Sequence, residues 1–271
     1  MIGAAVKAEI LKIFTTRLWW GLLIADVLIG GLLSFAFAFQ LGQPGGTGDA
    51  TTDALFVHPS AGAAQAIYSA GFIVTLAELF PLALGIILIT AEFRHKTWTS
   101  TVLSTPLRWP ISVAKVVAIC VVGFVYAVAY DIAAVIGGGI TMTVWRDSGL
   151  YLGSAEVWQT LGLIVLAFIV WTLLGFGFGL LLRNQVVAVF IGVGLAFIGN
   201  ILFGILFSLL HWDWAPKYLP SSLTSSMLNP TVASDPSQHT FAWGTAAVVL
   251  TIYGLVLSGA GAILNQRKDV L

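Results

Sequence analysis

The chain has 271 residues, 58% of them hydrophobic and 9% charged, with a mean hydropathy of +0.97. A soluble domain carries about 25% charged residues, so a soluble enzyme is excluded. The 12 basic residues are balanced by 12 acidic ones, which excludes a generally basic nucleic-acid binder.

From the N-terminus, Ile2, Val6, Ile10, Ile13 and Phe14 recur at helical spacing, with Lys7 and Lys12 off that face. Residues 1–17 therefore read as an amphipathic helix lying on the inner leaflet, with a helical extension of the first span as the alternative. Six apolar runs follow, at 18–40, 67–91, 116–143, 158–182, 186–210 and 241–264. Each meets the length of about 20 residues that crosses about 30 Å of hydrocarbon. The runs are continuous rather than alternating, which predicts helices and not barrel strands. The first run exceeds the core of about 7–15 residues of a secretory signal, so it reads as a retained anchor. In the second, Pro81 removes a backbone donor and predicts a kink. The third holds Cys120, the chain's one cysteine, which excludes an intrachain disulfide and a thiolate metal cluster. Its Gly137-Gly138-Gly139 suggests pliability or close packing.

The fourth and fifth runs are parted only by Arg183-Asn184-Gln185, which predicts a tight helical hairpin. Gly175 with Gly179, and Gly254 with Ser258 and Ala262, have the small-xxx-small spacing that lets helix backbones approach. Two longer segments, 41–66 and 211–240, fall on the outer side. The expectation is an all-α polytopic membrane protein, a single transmembrane domain over 1–271.

Six spans put both termini on one side. If that side is cytoplasmic, the inner segments hold ten basic residues, Lys7, Lys12, Arg17, Arg94, Lys96, Arg108, Lys115, Arg183, Arg267 and Lys268, against Glu9, Glu92 and Asp269. The outer segments hold only Arg146 and Lys217 against six acids. The excess of Lys and Arg predicts both termini inside. Trp19, Trp20, Trp145, Trp158, Trp212, Trp214 and Trp243 fall at predicted water–lipid borders, where an amphipathic ring is favoured.

Catalytic signatures are missing. The chain has no HExxH pattern and no phosphate-binding GxxxxGK[ST] loop, and it shows no serine or cysteine nucleophile set beside a base. No catalytic, cofactor-binding or metal-ligating residue is predicted, so any ATP would be bound by another chain.

Two constellations remain. Asp26, Glu78 and Asp131 fall near the middle of their runs, without a lysine or arginine at comparable depth. Such groups are costly in hydrocarbon and should face the bundle interior. They either line a transport pathway, for a cationic substrate or a proton relay, or pack against polar neighbours such as Thr75, Tyr130 or Asn200.

The other constellation is the inner segment 92–115, the longest inner connection. Glu92, Phe93, Arg94, His95, Lys96, Thr97 and Trp98 mix charges, aromatics and a hydroxyl, followed by Thr105, Pro106, Arg108 and Lys115. A short amphipathic helix here suits docking to a soluble partner; an ordinary topogenic loop is the alternative.

This segment resembles the first cytoplasmic loop of ABC-2 type transporter permeases, the membrane subunits of ABC exporters. The positions that carry the resemblance are Glu92, Arg94, Thr97, Thr105, Pro106, Arg108 and Lys115; Lys96 stands where the family often has glycine. The layout is similar as well, with an amphipathic N-terminal helix, six spans and a long segment, here 211–240, that partly re-enters the membrane. The resemblance implies two permease copies, identical or homologous, pairing with two ABC ATPase subunits that bind ATP and Mg. It also implies a coupling helix at 92–105 seated in a groove of the ATPase, with Arg94 and Lys96 meeting acids and Phe93 and Trp98 as anchors. Export of a small amphipathic or lipid-like compound from a bacterial or archaeal plasma membrane follows. A proton-coupled secondary transporter using Asp26, Glu78 and Asp131 is the alternative.

Overall fold

A computed structural model describes residues 2–43, 56–95, 109–228 and 240–267. Among the described residues the chain is helical throughout, with no strand. In chain order the helices are α1 (Ile2–Phe14), α2 (Leu18–Ala38), α3 (Ala61–Tyr68), α4 (Ala70–Ile73), α5 (Leu79–Arg94), α6 (Trp109–Val144), α7 (Ala155–Leu182), α8 (Gln185–Phe197), α9 (Gly199–Leu209), α10 (Pro220–Leu228) and α11 (Trp243–Arg267), with a 3₁₀ turn at Pro216–Tyr218.

Four helices, α2, α6, α7 and α11, are long and apolar enough to cross a bilayer, and α8 with α9 makes a fifth candidate bent by 54°. These helices show a membrane-embedded protein. The sequence predicts six spans, and the run at 67–91 is not among these four or five helices. The run at 67–91 is interrupted: α4 ends at Ile73, Thr75 takes a left-handed φ of 54°, and α5 starts only at Leu79. The amides of Leu76 and Ala77 both donate to the Gly71 carbonyl, at 2.9 and 3.0 Å. A left-handed non-glycine residue costs about 1–2 kcal/mol, and irregular backbone at membrane depth survives only inside protein or beside water. Ala77 and Glu78 are accordingly buried. With 16 residues, α5 is about 24 Å long, short of a full crossing.

This break also changes the role of Pro81. The expected mid-helix kink is absent because Pro81 is the third residue of α5, in the first turn, where its missing N–H has no partner to lose. In the fifth run, the bend falls at Ile198, between two helices rich in glycine.

The predicted hairpin after the fourth run is present. Arg183 caps α7 in the left-handed region, and the Asn184 side chain accepts from the Val187 amide at 3.2 Å to start α8. Ser60 caps α3 in the same way, accepting from Ala63 at 3.1 Å.

Two glycine contacts set how the helices pack. A methyl group added at Gly175 of α7 would lie 2.1 Å from the Leu82 carbonyl oxygen, and one at Gly85 of α5 would lie 2.1 Å from that of Thr172. Backbone therefore meets backbone where α5 crosses α7. Across α7, Ser258 of α11 donates to the Leu173 carbonyl at 2.7 Å, so the small-residue spacings read from the sequence are packing faces. The central helix is α7, with 67% of its apolar window buried against 28% for α2 and α11.

α1 and α2 run parallel to α6, which at 36 residues is about 54 Å long. Contacts recur along it at a sequence separation of 106 or 107: Glu9 with Lys115, Trp19 with Tyr126, Phe35 with Thr141 and Phe39 with Arg146. In α1 the predicted apolar face is the covered one: Ile13 is buried and Ile10 and Phe14 pack on the core, while Lys7 is exposed. The Trp19 indole donates to the Phe14 carbonyl at 2.9 Å and closes the corner between α1 and α2.

Gly175→Ala should lower stability by about 1–3 kcal/mol through the forced separation of α5 and α7. Gly194→Ala, where an added methyl meets nothing within 4 Å, should leave it unchanged or raise it by up to about 1 kcal/mol. Thermal unfolding of the two purified variants in detergent measures the difference.

Candidate functional site

Two polar centres stand out in an otherwise apolar bundle. The first joins the ends of α1, α5 and α6. Glu92 lies on the last turn of α5, and Lys115 lies near the start of α6. The Lys115 ammonium donates to Glu92 Oε1 at 2.5 Å and to Glu9 Oε1 at 2.8 Å. Lys12 also donates to Glu92 and lies 3.9 Å from Glu9 Oε2. The Lys115 and Glu92 side chains are 3% and 5% exposed.

Burying an ion costs several kcal/mol, and a lone pair seldom recovers it. Here each of the two buried ions has two counter-charges, and two lysines cancel two glutamates. The node ties α1, α5 and α6 together, and its two lysines and two glutamates sum to no net charge. A crevice of 350 Å³ opens beside it, between α1, α5 and α6.

The predicted docking residues therefore separate. Glu92 and Lys115 point inward and meet each other. Phe93 is half-buried, with the Arg183 guanidinium 5.5 Å from its ring centre. Arg94 is exposed and donates to the Gln185 side chain at 3.1 Å. Lys96, Thr97, Trp98, Thr105, Pro106 and Arg108 lie outside the described residues. Sequence reasoning counted Glu9 and Lys12 only toward topology. Their i, i+3 spacing was a signal of pairing, but nothing local indicated that they would meet residues 80 or 106 positions away.

The second centre lies around Glu78, in the turn before α5. Its carboxyl is buried, and Oε1 accepts from the Ser221 hydroxyl of α10 at 2.6 Å. Three residues on, the Thr224 hydroxyl accepts from the Trp171 indole of α7 at 3.0 Å. These two bonds fasten α10 against the bundle, with Ser221, Leu223, Thr224, Met227 and Leu228 buried. A cavity of 210 Å³ adjoins them, lined by Trp171, Phe178, Asn200, Phe203 and Ser221 among others.

Asp26 on α2 and Asp131 on α6 lie in the same region of the bundle, apart from Glu78. Asp26 is fully buried, and among the described residues neither of its carboxyl oxygens nor Oδ1 of Asp131 has a hydrogen-bond partner. Two of the three polar neighbours expected from sequence hydrogen-bond to other groups. Tyr130 Oη accepts from the Gly71 amide at 3.0 Å, and Asn200 Oδ1 accepts from Ser222 at 3.3 Å. The structure thus brings two of the three acids together and gives the third a partner, Ser221, that the sequence did not mark. The described residues hold no group of three or more potential metal ligands.

The chain matches no protein-family model and no curated protein.

Lys115→Met should destabilise the protein by about 3–5 kcal/mol, because among the described residues it leaves Glu92 and Glu9 to share the single, partly exposed Lys12 and so leaves one negative charge uncompensated. Lys12→Ala, at a site 42% exposed, should cost about 1 kcal/mol or less. Chemical unfolding in detergent compares the two, and adding Glu92→Gln to Lys115→Met should recover part of the loss. Ser221→Ala should cost about 1–3 kcal/mol by leaving the Glu78 carboxyl buried without its donor, and proteolysis of the 216–228 region should quicken in that variant.

Proposed function

We propose that this chain is the permease subunit of an ATP-driven exporter of the ABC-2 type, moving a small amphipathic or lipid-like compound. On this reading it crosses the membrane six times, by α2, the interrupted segment α3–α5, α6, α7, the bent pair α8–α9 and α11. Both termini are then cytoplasmic, in a bacterial or archaeal plasma membrane. The excess of Lys and Arg on that side supports the orientation. Two such subunits, or one with a homologous permease, work with two ATPase subunits that bind ATP and Mg and carry out the hydrolysis.

The observation that carries the reading is the charged node at the root of segment 96–108. Glu92 precedes that segment and Lys115 follows it, and the two are joined to each other and to α1 through Glu9 and Lys12. A partner pressing on the segment would move α1, α5 and α6 as one body rather than fray the helix ends. Phe93 and Arg94, the more accessible residues at its edge, are the contact candidates, since aromatic and arginine side chains carry much of the binding energy of interfaces. α10, fastened at Ser221 and Thr224, fits a re-entrant element on the opposite side.

Asp26, and Oδ1 of Asp131, without a hydrogen-bond partner among the described residues, favour a second reading, a proton-coupled secondary transporter. The two readings separate in proteoliposomes. Under the first, transport needs a separate ABC ATPase subunit, and Phe93→Ala or Arg94→Ala lowers coupled ATP hydrolysis about tenfold, the loss of a single interface anchor. Transport driven by a pH gradient alone, and abolished by Asp26→Asn, would establish the second reading and overturn the first.

A further inference from the structure

We propose that the crevice beside the charged node is a binding site for an anionic phospholipid from the leaflet at the Lys- and Arg-rich end of the bundle. Its 350 Å³ is within the range of about 300–1,000 Å³ typical of small-molecule sites. One side is apolar, formed by Leu18, Leu88, Ile119 and Phe176, and the rim carries Lys12, Arg94 and His95. That division suits an amphiphile with its head at the rim and a chain against the wall.

The sign of the head group follows from where the charges are already satisfied. Lys12 and Lys115 are matched by Glu9 and Glu92. Among the described residues no carboxylate lies within 4.0 Å of Arg94, whose contacts are the neutral Gln185 amide at 3.1 Å and the His95 ring at 3.4 Å. The lining therefore carries one surplus positive charge, and it sits at the exposed mouth. A phosphate matches the planar guanidinium fork, and basic pockets between membrane helices are recurrent sites for acidic head groups. An anion bound at Arg94 leaves the node intact. A soluble anion would leave the apolar wall facing water, so the occupant is a lipid and not free phosphate. This inference draws on Arg94, which the ATPase reading also uses, but its readout is lipid retention by this chain alone, so the two fail separately.

Native mass spectrometry tests it, with the full chain released from neutral detergent in an equimolar mixture of dimyristoyl phosphatidylglycerol and dimyristoyl phosphatidylcholine. The expected result is retention of phosphatidylglycerol about tenfold over phosphatidylcholine, falling to parity in Arg94→Gln and largely kept in Arg94→Lys. Leu88→Trp, which fills the crevice, should reduce retention of phosphatidylglycerol while the Arg94 side chain is still present. Thermal unfolding checks that each variant is folded. Equal retention of the two lipids by the unaltered protein would overturn the proposal. So would a preference that survives Arg94→Gln, or displacement of the lipid by millimolar inorganic phosphate.

Discussion

Two glutamates and two lysines that meet at the ends of three helices, with Glu92 and Lys115 closed away from water, are the constraint on which this corner of the protein depends. In a bundle with so few charges, an ion that moves out of water must find opposite charge within a few ångströms or destabilise the fold. Lys115 meets both acids at 2.5 and 2.8 Å, and Lys12 completes the set. The positions of α1, α5 and α6 are therefore mutually fixed at this end. The register between α1–α2 and α6, held at 106 or 107 residues from Glu9 to Phe39, continues that constraint toward the other end.

Away from the node the fold is held by a different physics. α5, α7 and α11 approach through glycine and serine, because helices in an apolar solvent gain by close packing and hydrogen bonding rather than by hiding from water. Gly85 and Gly175 allow two backbones to touch, and Ser258 bonds a backbone carbonyl across α7 and α11. α7 thus becomes the element against which the others are measured. It also presents Trp171 to Thr224, so the short helix α10 is referred to the same frame. The node and the Glu78–Ser221 contact act on opposite ends of α5. A displacement of α5 would be felt at both.

Much of the chain was legible from the one-dimensional pattern. The apolar runs marked α2, α6, α7 and α11 to within a few residues, apart from about two turns at the start of α6. The hairpin at Arg183-Asn184 followed from three polar residues between two long runs. Other features had no local signal. The run at 67–91 looked continuous because its residues are apolar on either side of the break, whereas the break is made by the backbone: Gly71 accepting two amides and Thr75 turning left-handed. Pro81 changed from an expected kink to a residue of the first turn for that reason. Glu92 and Lys115 were both marked as positions of the inner segment, but neither their pairing nor their contacts with Glu9 and Lys12 were.

The sequence by itself determined that this is a helical membrane protein, where its long helices run and which segments concentrate positive charge. Hydropathy and length are summed along the chain, so they survive without knowledge of neighbours. Only the tertiary structure decided which polar groups meet. Periodicity assigns a residue to a face of its helix but says nothing about what that face will touch. Glu92 finds Lys12 80 positions away, and Glu78 finds Ser221 143 positions away. The neutral charge total conceals this division: four of its charges cancel one another inside the node, whereas Asp26 and Asp131 sit together without such a counter-charge among the residues described.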